Sequence, residues 1–282
     1  MRRTRFLVPV LAILAATAVA VPVALAAGEQ VNTYTVTGSV KGGKGATKKK
    51  PKPVSLNFDY TVGEKSGLRP APINKYSIFF QGGQVNTSAF PGCDTDELTQ
   101  AGDTSVCPKK SIMGDGKIIA EVGQPSNTAD KSLYCYLSLT LVNSTKKNHF
   151  LLFLKGVQTD PDPKKTCVTQ IAEPIDAKFV KRSGGTSLDF TVQPNLLHPA
   201  GLDNAVTQVT SHIKKVSTKK NGKTIGFFEG YSCKKNKTAI NVTTGQDPGK
   251  LATPGDTLRY RIRIENLVAD PGGLVGRAGR PE

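Results

Sequence analysis

Short stretches in which apolar and polar residues alternate constrain the fold of this chain more than any other feature. In the clearest one, from Val54 to Val62, every second residue is apolar. A period of two puts the apolar side chains on one face of a strand, so this pattern predicts a half-buried β-strand. Similar stretches recur at 33–40, 75–81, 118–122, 133–142, 150–155, 188–192, 206–213, 224–231, 239–243 and 258–264.

The breaks between these stretches are rich in turn-forming residues. Asp115-Gly116 and Asn221-Gly222 suit two-residue hairpin loops, and residues 142–148 connect two strongly apolar stretches. No segment shows a sustained helical period flanked by capping residues. The predicted fold class is therefore all-β, an antiparallel β-sandwich with long basic loops.

The N-terminus has the pattern of a secretory signal peptide. Three arginines within residues 1–5 precede an apolar run from Phe6 to Ala27, and Ala24 and Ala26 form an A-x-A cleavage pattern. We predict a signal peptide over 1–26 and a secreted mature chain, which could also associate with the cell surface. An uncleaved membrane anchor is the alternative, because the apolar run is long enough to span a bilayer. No later stretch is apolar for that long, so cleavage would leave no transmembrane segment.

The remaining chain divides by composition into a main β-sandwich domain over 27–246 and a final strand with a flexible tail over 247–282. Within the main domain, residues 41–53 are low in complexity and rich in Lys, Gly and Pro. Such a composition is typical of a flexible loop or linker, and a docking tether for an acidic polymer is the alternative.

Five cysteines remain in the predicted mature chain, and in an exported protein they are first read as disulfides. Cys93 and Cys107 bracket a polar, turn-rich segment, so we predict that they pair. Cys135 is in phase with three leucines and should point into the core. With Cys167 and Cys233 it can form at most one further bridge, which leaves one thiol free or paired between chains. Because no C-x-x-C pattern occurs, the usual zinc and thioredoxin-type signatures are missing.

The chain carries a formal net charge of +16, which favours affinity for anionic polymers. Lysine outnumbers arginine in the mature part, and lysine offers a point charge rather than the bidentate fork of specific phosphate or base recognition. Pairs of lysines recur at predicted turns, where they either keep the loops soluble or cluster at one end of the fold. These pairs are 109–110, 146–147, 164–165, 219–220 and 234–235.

The last predicted strand carries a row of arginines. Alternation along 257–264 sends Arg259, Arg261 and Arg263 to one face and the apolar residues to the other. That row is either a solvated outer face or a stripe that contacts anions.

No catalytic, metal or cofactor motif is present in the sequence, so no cofactor is predicted. His149, His198 and His212 are far apart and belong to no metal-binding motif, and no G-x-S-x-G elbow occurs. No nucleic-acid-binding module is recognisable either, so no specific nucleic acid is expected. The alternative that stays open is a secreted hydrolase whose site is built from scattered residues.

Two sets of residues carry a resemblance to known proteins. The Lys-Lys-Lys-Pro-Lys-Pro segment at 48–53 and the strand after it, with Phe90-Pro91-Gly92-Cys93 and Cys107-Pro108-Lys109-Lys110-Ser111, resemble uncharacterised exported β-rich proteins of actinobacteria over about residues 40 to 235. That resemblance implies a β-rich fold and an extracellular location, and it assigns no activity. Residues 255–266 are similar to one strand of bacterial Ig-like surface repeats, with three arginines where threonine is usual.

Together these features predict a secreted or cell-envelope protein that binds or has a structural role rather than an enzyme. Its expected partners are anionic cell-wall polymers or other extracellular molecules. The ligand and the oligomeric state stay open at this stage.

Overall fold

The computed structural model describes residues 32–131, 133–158, 166–167, 169–231, 240–244 and 257–264, with the backbone alone for the last two ranges. The strands are β1 (Asn32–Gly42), β2 (Lys52–Glu64), β3 (Lys75–Gln81), β4 (Gly83–Val85), β5 (Ile112–Gly123), β6 (Leu133–Asn143), β7 (His149–Gly156), β8 (Ala172–Arg182), β9 (Gly185–Thr191), β10 (Asp203–Ile213), β11 (Ser217–Lys220), β12 (Lys223–Gly226), β13 (Phe228–Gly230), β14 (Ile240–Thr244) and β15 (Thr257–Ile264). Two short helices, α1 (Thr95–Ala101) and α2 (Pro194–Leu197), and several single 3-10 turns complete the described elements.

The structure confirms an all-β fold built on one large antiparallel sheet. Its strand order is β14, β15, β3, β9, β8, β7, β6, β5, β10, β2, β13 and β4, with β1 also paired to β2. All described neighbours run antiparallel except β15 and β3, which are parallel. Strands β11 and β12 form a separate hairpin, whose Asn221-Gly222 turn has the two positive φ angles that the sequence pattern predicts. Because the remaining ladders join into one sheet, stacking of two sheets stays a prediction.

The interior of the sheet holds the apolar residues that the alternation predicted. In β2, Leu56, Tyr60 and Val62 are buried and the residues between them are more exposed. Tyr60 meets Tyr76 of β3 edge-on, with ring centroids 6.4 Å apart, although the two strands are far apart in the strand order. The sheet therefore curls until residues from distant strands face one another across a common core.

Hydrogen bonds join the two sides of the curled sheet at one end. Strand β13 pairs with the first residues of β2 on one side and with β4 on the other. The amide of Tyr231 donates to the carbonyl of Gly82, and the amide of Gly82 donates to the carbonyl of Gly184, each at 2.8 Å. Phe227 and Phe228, both fully buried, fill the core beneath this junction. Strand β14 also lies beside β1.

A second apolar cluster lies on the outer face of the sheet, beneath α1. This helix begins at Asp94, whose carboxylate accepts from the amides of Asp96 and Glu97, and ends at Gly102 in the left-handed region. The helix buries Leu98 completely against Leu151 and Phe153 of β7. Strand β7 is consequently apolar on both faces, which explains its continuous run of apolar residues.

Two disulfides tie these layers together. Cys93 pairs with Cys107 across the α1 segment, as the polar residues between them led us to expect. Cys135 points into the core, as predicted, and pairs with Cys167. Cys233 lies outside the described residues. Two bridges are typical of proteins that fold in an oxidising compartment.

One turn prediction was wrong. Asp115-Gly116 lies in the middle of β5 rather than in a hairpin loop. A side chain on Gly116, or on the nearby Gly114, would collide with a carbonyl oxygen of β10, where the pairing of β5 and β10 is very close. Both glycines allow β5 and β10 to pack closely, and the Asp115-Gly116 sequence only resembles that of a turn.

The segment expected to be flexible, 41–53, is the connection between β1 and β2. Three of its residues, Gly42, Gly43 and Gly45, have positive φ, and a bridge pairs Thr47 with Lys50. Ala46 is buried and belongs to the main core. The final strand predicted within 247–282 is β15, which joins the same sheet through β3. The predicted signal peptide, 1–26, and the tail after 264 lie outside the described residues.

Candidate functional site

The lysine-rich segments of the chain meet at one end of the sheet. The register of the strands fixes this arrangement. Gly42 at the end of β1 lies opposite Val54 near the start of β2, and Leu56 of β2 lies opposite Ile213 at the end of β10. Ile213 in turn lies opposite Gly114 near the start of β5. The pairing of β5 with β6, and of each following strand up to β9, places the β6–β7 and β8–β9 turns at the same end. We call it the basic end.

The basic end consists of the β1–β2 turn, the residues before β5, the β6–β7 and β8–β9 turns, and the β11–β12 hairpin that follows β10. All its cationic residues are exposed. They are Lys44, Lys48, Lys49, Lys50, Lys52, Lys109, Lys110, Lys146, Lys147, Lys181, Arg182, Lys214, Lys215, Lys219, Lys220 and Lys223. Of the predicted lysine pairs, 164–165 and 234–235 lie outside the described residues, and the other three are all at this end.

Few carboxylates offset this charge. Asp115 binds Lys214 at 2.8 Å, Asp189 binds Arg182 at 2.9 Å, and Asp176 lies 3.8 Å from Lys146. Within the described ranges, the other cations of the basic end have no carboxylate within ion-pair distance. A surface with this excess of one sign attracts polyanions, and the attraction is strongest at low ionic strength.

The opposite end of the sheet is close to neutral by comparison. Its described cationic residues are Lys65, Arg69, Lys75, Lys131 and Lys155, and its acidic residues are Glu64, Asp103, Glu121, Asp130, Glu173 and Asp203. Arg69 is fully buried against Asp203, so it adds nothing to the surface charge. The molecule is therefore polarised along the strand direction.

The β1–β2 turn brings several lysines of the basic end close together. The ammonium group of Lys52 donates to the carbonyl of Lys44 at 2.7 Å. The side chain of Lys215, from the segment after β10, lies over Gly42, where a Cβ atom would be 3.6 Å from its nitrogen. Lysines from two separate segments are thus neighbours in space.

A polar groove of about 650 Å³, here called the outer groove, runs across the outer face of β1, β2, β10 and β5 next to the basic end. Hydroxyl, amide, carboxylate, ammonium and imidazole groups line it. The lining residues with polar side chains are Thr37, Ser39, Lys41, Asn57, Asp59, Asp115, Lys117, Thr210, Ser211 and His212. Neighbouring groups are already ordered, since the amide nitrogen of Asn57 donates to the hydroxyl of Ser39 at 3.0 Å.

Asp59 lies in the middle of the outer groove, between the Thr37 and Thr210 positions of the flanking strands. Partial burial raises the pKa of its carboxyl above the usual range. Cross-strand neighbours with hydroxyl, amide and carboxyl groups can exchange hydrogen bonds with a hydroxyl-bearing ligand. The lysines at the rim, Lys41 and Lys117, would meet anionic groups of the same ligand.

The histidines occupy separate elements and have separate partners. His149 at the start of β7 lies 2.7 Å from Asp176, and His198 after α2 lies 3.0 Å from Asp203. His212 lines the outer groove on β10. Across the described ranges, no three His, Cys, Asp or Glu residues converge as ligands for a metal ion.

The predicted anion-contacting arginines lie on β15, whose backbone runs parallel to β3. Arg259, Arg261 and Arg263 take the register positions of Ser77, Phe79 and Gln81. Their side chains lie outside what the structure describes, so their contact with anions stays a prediction.

Sequence reasoning did not identify the outer groove. Its residues come from four strands, and three of those strands are separated by long stretches of chain. Each lining residue is an ordinary polar position of an alternating strand. The one sequence feature that these residues share is that the polar faces of β1, β2 and β10 are unusually rich in Thr, Ser and Asn.

Comparison with known proteins gave no match to a family model, to a curated protein or to a solved structure. The resemblance to exported actinobacterial proteins therefore stays a prediction. No helix among the described residues is long and apolar enough to cross a membrane.

Proposed function

We propose that this protein is exported and acts at or outside the cell surface by binding anionic polymers of the envelope through its basic end. One observation carries the proposal: lysine-rich segments from distant parts of the chain converge on one end of the sheet, while the opposite end is nearly neutral. Chance placement of lysines for solubility would distribute them over both ends.

The chemistry of the basic end fits a flexible polymer better than a small ligand. Lysine ammonium groups are mobile point charges that bind repeated phosphates or carboxylates without fixed geometry. The outer groove beside them adds hydroxyl, amide and carboxyl groups, which suit the sugar or polyol hydroxyls of such a polymer. The arginines of β15 are a further proposed contact for anions.

Export is part of the same proposal and rests on the predicted signal peptide over 1–26 and on the two disulfides. Outside the cytoplasm the abundant polyanions are envelope and matrix polymers rather than the genome. A binding or structural role is favoured over catalysis, because the surface features that stand out are charge and hydrogen-bonding capacity.

Salt dependence of binding tests the proposal. The purified mature protein is titrated with inorganic polyphosphate by calorimetry at 50 and 200 mM salt. Displacement of counterions by several lysines should weaken binding by about ten-fold or more over this range. Absence of measurable binding at 50 mM salt, or an affinity that salt leaves unchanged, would contradict it.

A further inference from the structure

A cavity of about 130 Å³ lies inside the curled sheet, and its lining includes none of the lysines of the basic end. Apolar side chains from β2, β3, β5, β6, β7, β8, β9 and β10 line it, together with two leucines of α2. The volume is close to that of an engineered apolar protein cavity of about 150 Å³ that binds benzene. Space of this kind, surrounded by hydrocarbon, stays free of water unless polar groups hold it there.

The lining of the cavity extends along the interior, from Leu56 and Ile213 near the basic end to Leu196 and Leu197 of α2. At the basic end the core is tightly closed, with Phe150 fully buried and Phe80 only 3% exposed. Near α2, the inner-face residues Phe190, Val206 and Leu197 are only partly buried. The end of the cavity that α2 covers is therefore the less shielded one.

One polar side chain at this end has an unused acceptor. Asn204, at the start of β10, lines the cavity and is 7% exposed. Its amide nitrogen donates to the carbonyl of Leu196 in α2 at 2.8 Å, which fixes the orientation of the amide. Its Oδ1 atom accepts from no group that the structure describes. A buried acceptor without a donor is unfavourable, and a ligand hydroxyl would satisfy it.

The surroundings exclude a charged ligand. Tyr76 also lines the cavity, and burial raises the pKa of its hydroxyl despite a hydrogen bond with Tyr60 that lowers it. The described lining holds no Lys, Arg, Asp, Glu or His side chain that could neutralise an ion. An ion here would lose its hydration without compensation.

We propose that this cavity binds a small, uncharged, mainly apolar molecule that donates one hydrogen bond to Oδ1 of Asn204. Aromatic and short aliphatic alcohols are the chemical class that fits. Binding at this site does not involve the basic end, so it stands or falls independently of the proposed polymer binding.

Benzene tests whether the cavity binds an apolar molecule at all. Phenol, which differs from benzene by one hydroxyl group, tests whether Oδ1 of Asn204 accepts a hydrogen bond from the ligand. Each is titrated into the mature protein in sealed cells, and NMR shifts of Leu, Ile and Val methyl groups report binding. We expect saturable shifts confined to cavity-lining methyls. Phenol should bind about five-fold more tightly than benzene, as one net hydrogen bond predicts.

Filling the cavity provides the control. Val209→Phe, on the inner face of β10, should abolish binding of both probes. Gln208→Phe, on the exposed face of the same strand, should leave binding unchanged. Should Val209→Phe not fold by circular dichroism, Ile118→Phe on β5 fills the same space.

Two results would overturn the proposal. If neither probe shifts the lining methyls, or the filled variant binds as the wild type does, the cavity is not the site. If benzene binds more tightly than phenol, Asn204 does not accept a ligand hydroxyl and the proposed ligand class is wrong.

Discussion

A single buried arginine holds together the loops at the end of the sheet opposite the basic end. The guanidinium group of Arg69 donates to the carbonyls of Gln124, Asn127 and Asp130 at 2.7–3.1 Å and lies 3.6 Å from Asp203. Gly123 is needed beside it, because a Cβ atom there would collide with the guanidinium group. The guanidinium group thus satisfies three loop carbonyls in place of backbone amide donors.

Replacing Arg69 should be among the most damaging changes in the described chain. Arg69→Met keeps the apolar stem but leaves three carbonyls and one carboxylate without their donor. We expect a loss of about 3 kcal/mol in the free energy of unfolding, measured with urea. Lys75→Met, which removes an exposed cation from the same end, should change it by less than about 0.5 kcal/mol. Equal effects for the two variants would argue against a structural role of the buried cation.

The stability of the fold should also depend on pH through the carboxyl group of Asp103. A hydrogen bond from the Lys155 ammonium at 2.6 Å, with one from the amide of Ser105, lowers the pKa of Asp103 from 3.8 to about 2. A carboxyl whose pKa is lower in the folded state favours folding above the unfolded value. That contribution is lost as the pH falls from about 3.8 to about 2.

Carbon NMR titration of the Asp103 carboxyl measures this directly. The midpoint should lie near pH 2 in the wild type. It should move toward 3.8 in Lys155→Met, while Lys155→Arg, which keeps the charge, should shift it much less. A midpoint that is the same in the wild type and Lys155→Met would rule out the ion pair as the cause.

At the scale of elements, the Cys93–Cys107 bridge and α1 form one cover over the outer face of β7. The bridge closes a loop with a sequence separation of 14. In the chain-entropy model, removing it with Cys93→Ala and Cys107→Ala together should lower the free energy of unfolding by about 3 kcal/mol. Amide hydrogen exchange in α1 should also speed up, because the helix is too short to be stable alone.

Val106→Ala is the matched control for this loop. Val106 is 45% exposed in the same segment, so the variant should unfold with nearly the wild-type free energy. If the double cysteine variant is as stable as this control, the bridge does not stabilise the cover.

Most strands were predictable because their buried residues alternate without interruption, as in β2, β3 and β6. Strand β8 was not predicted, although Ile175, Ala177 and Phe179 are buried in alternation. Pro174 and the charged residues between them hide this period, and Ala is too small to mark a core position. Helix α1 was not predicted because one apolar residue, Leu98, provides its contact with the sheet and no helical period arises.

At the scale of the whole molecule, the clustering of lysine pairs could not be predicted. Which end of the sheet a turn occupies depends on strand order and register, and these come from contacts between distant residues. Lys48 and Lys215 are far apart in the sequence, and only the pairing of β2 with β10 brings their segments together. The interior cavity is also unpredictable, because it depends on how closely a curled sheet packs against itself.

The central claim is that polyanions bind at the basic end, and matched charge removal tests it most directly. Lys48→Gln, Lys49→Gln and Lys50→Gln combined remove three exposed charges from the β1–β2 turn. Lys65→Gln, Lys75→Gln and Lys131→Gln combined remove three charges from the opposite end, two of them exposed and that of Lys131 partly exposed. We predict that the first variant binds inorganic polyphosphate at least about five-fold more weakly than the wild type at 50 mM salt, and the second within about two-fold. Equal losses in both variants would contradict a binding surface at the basic end.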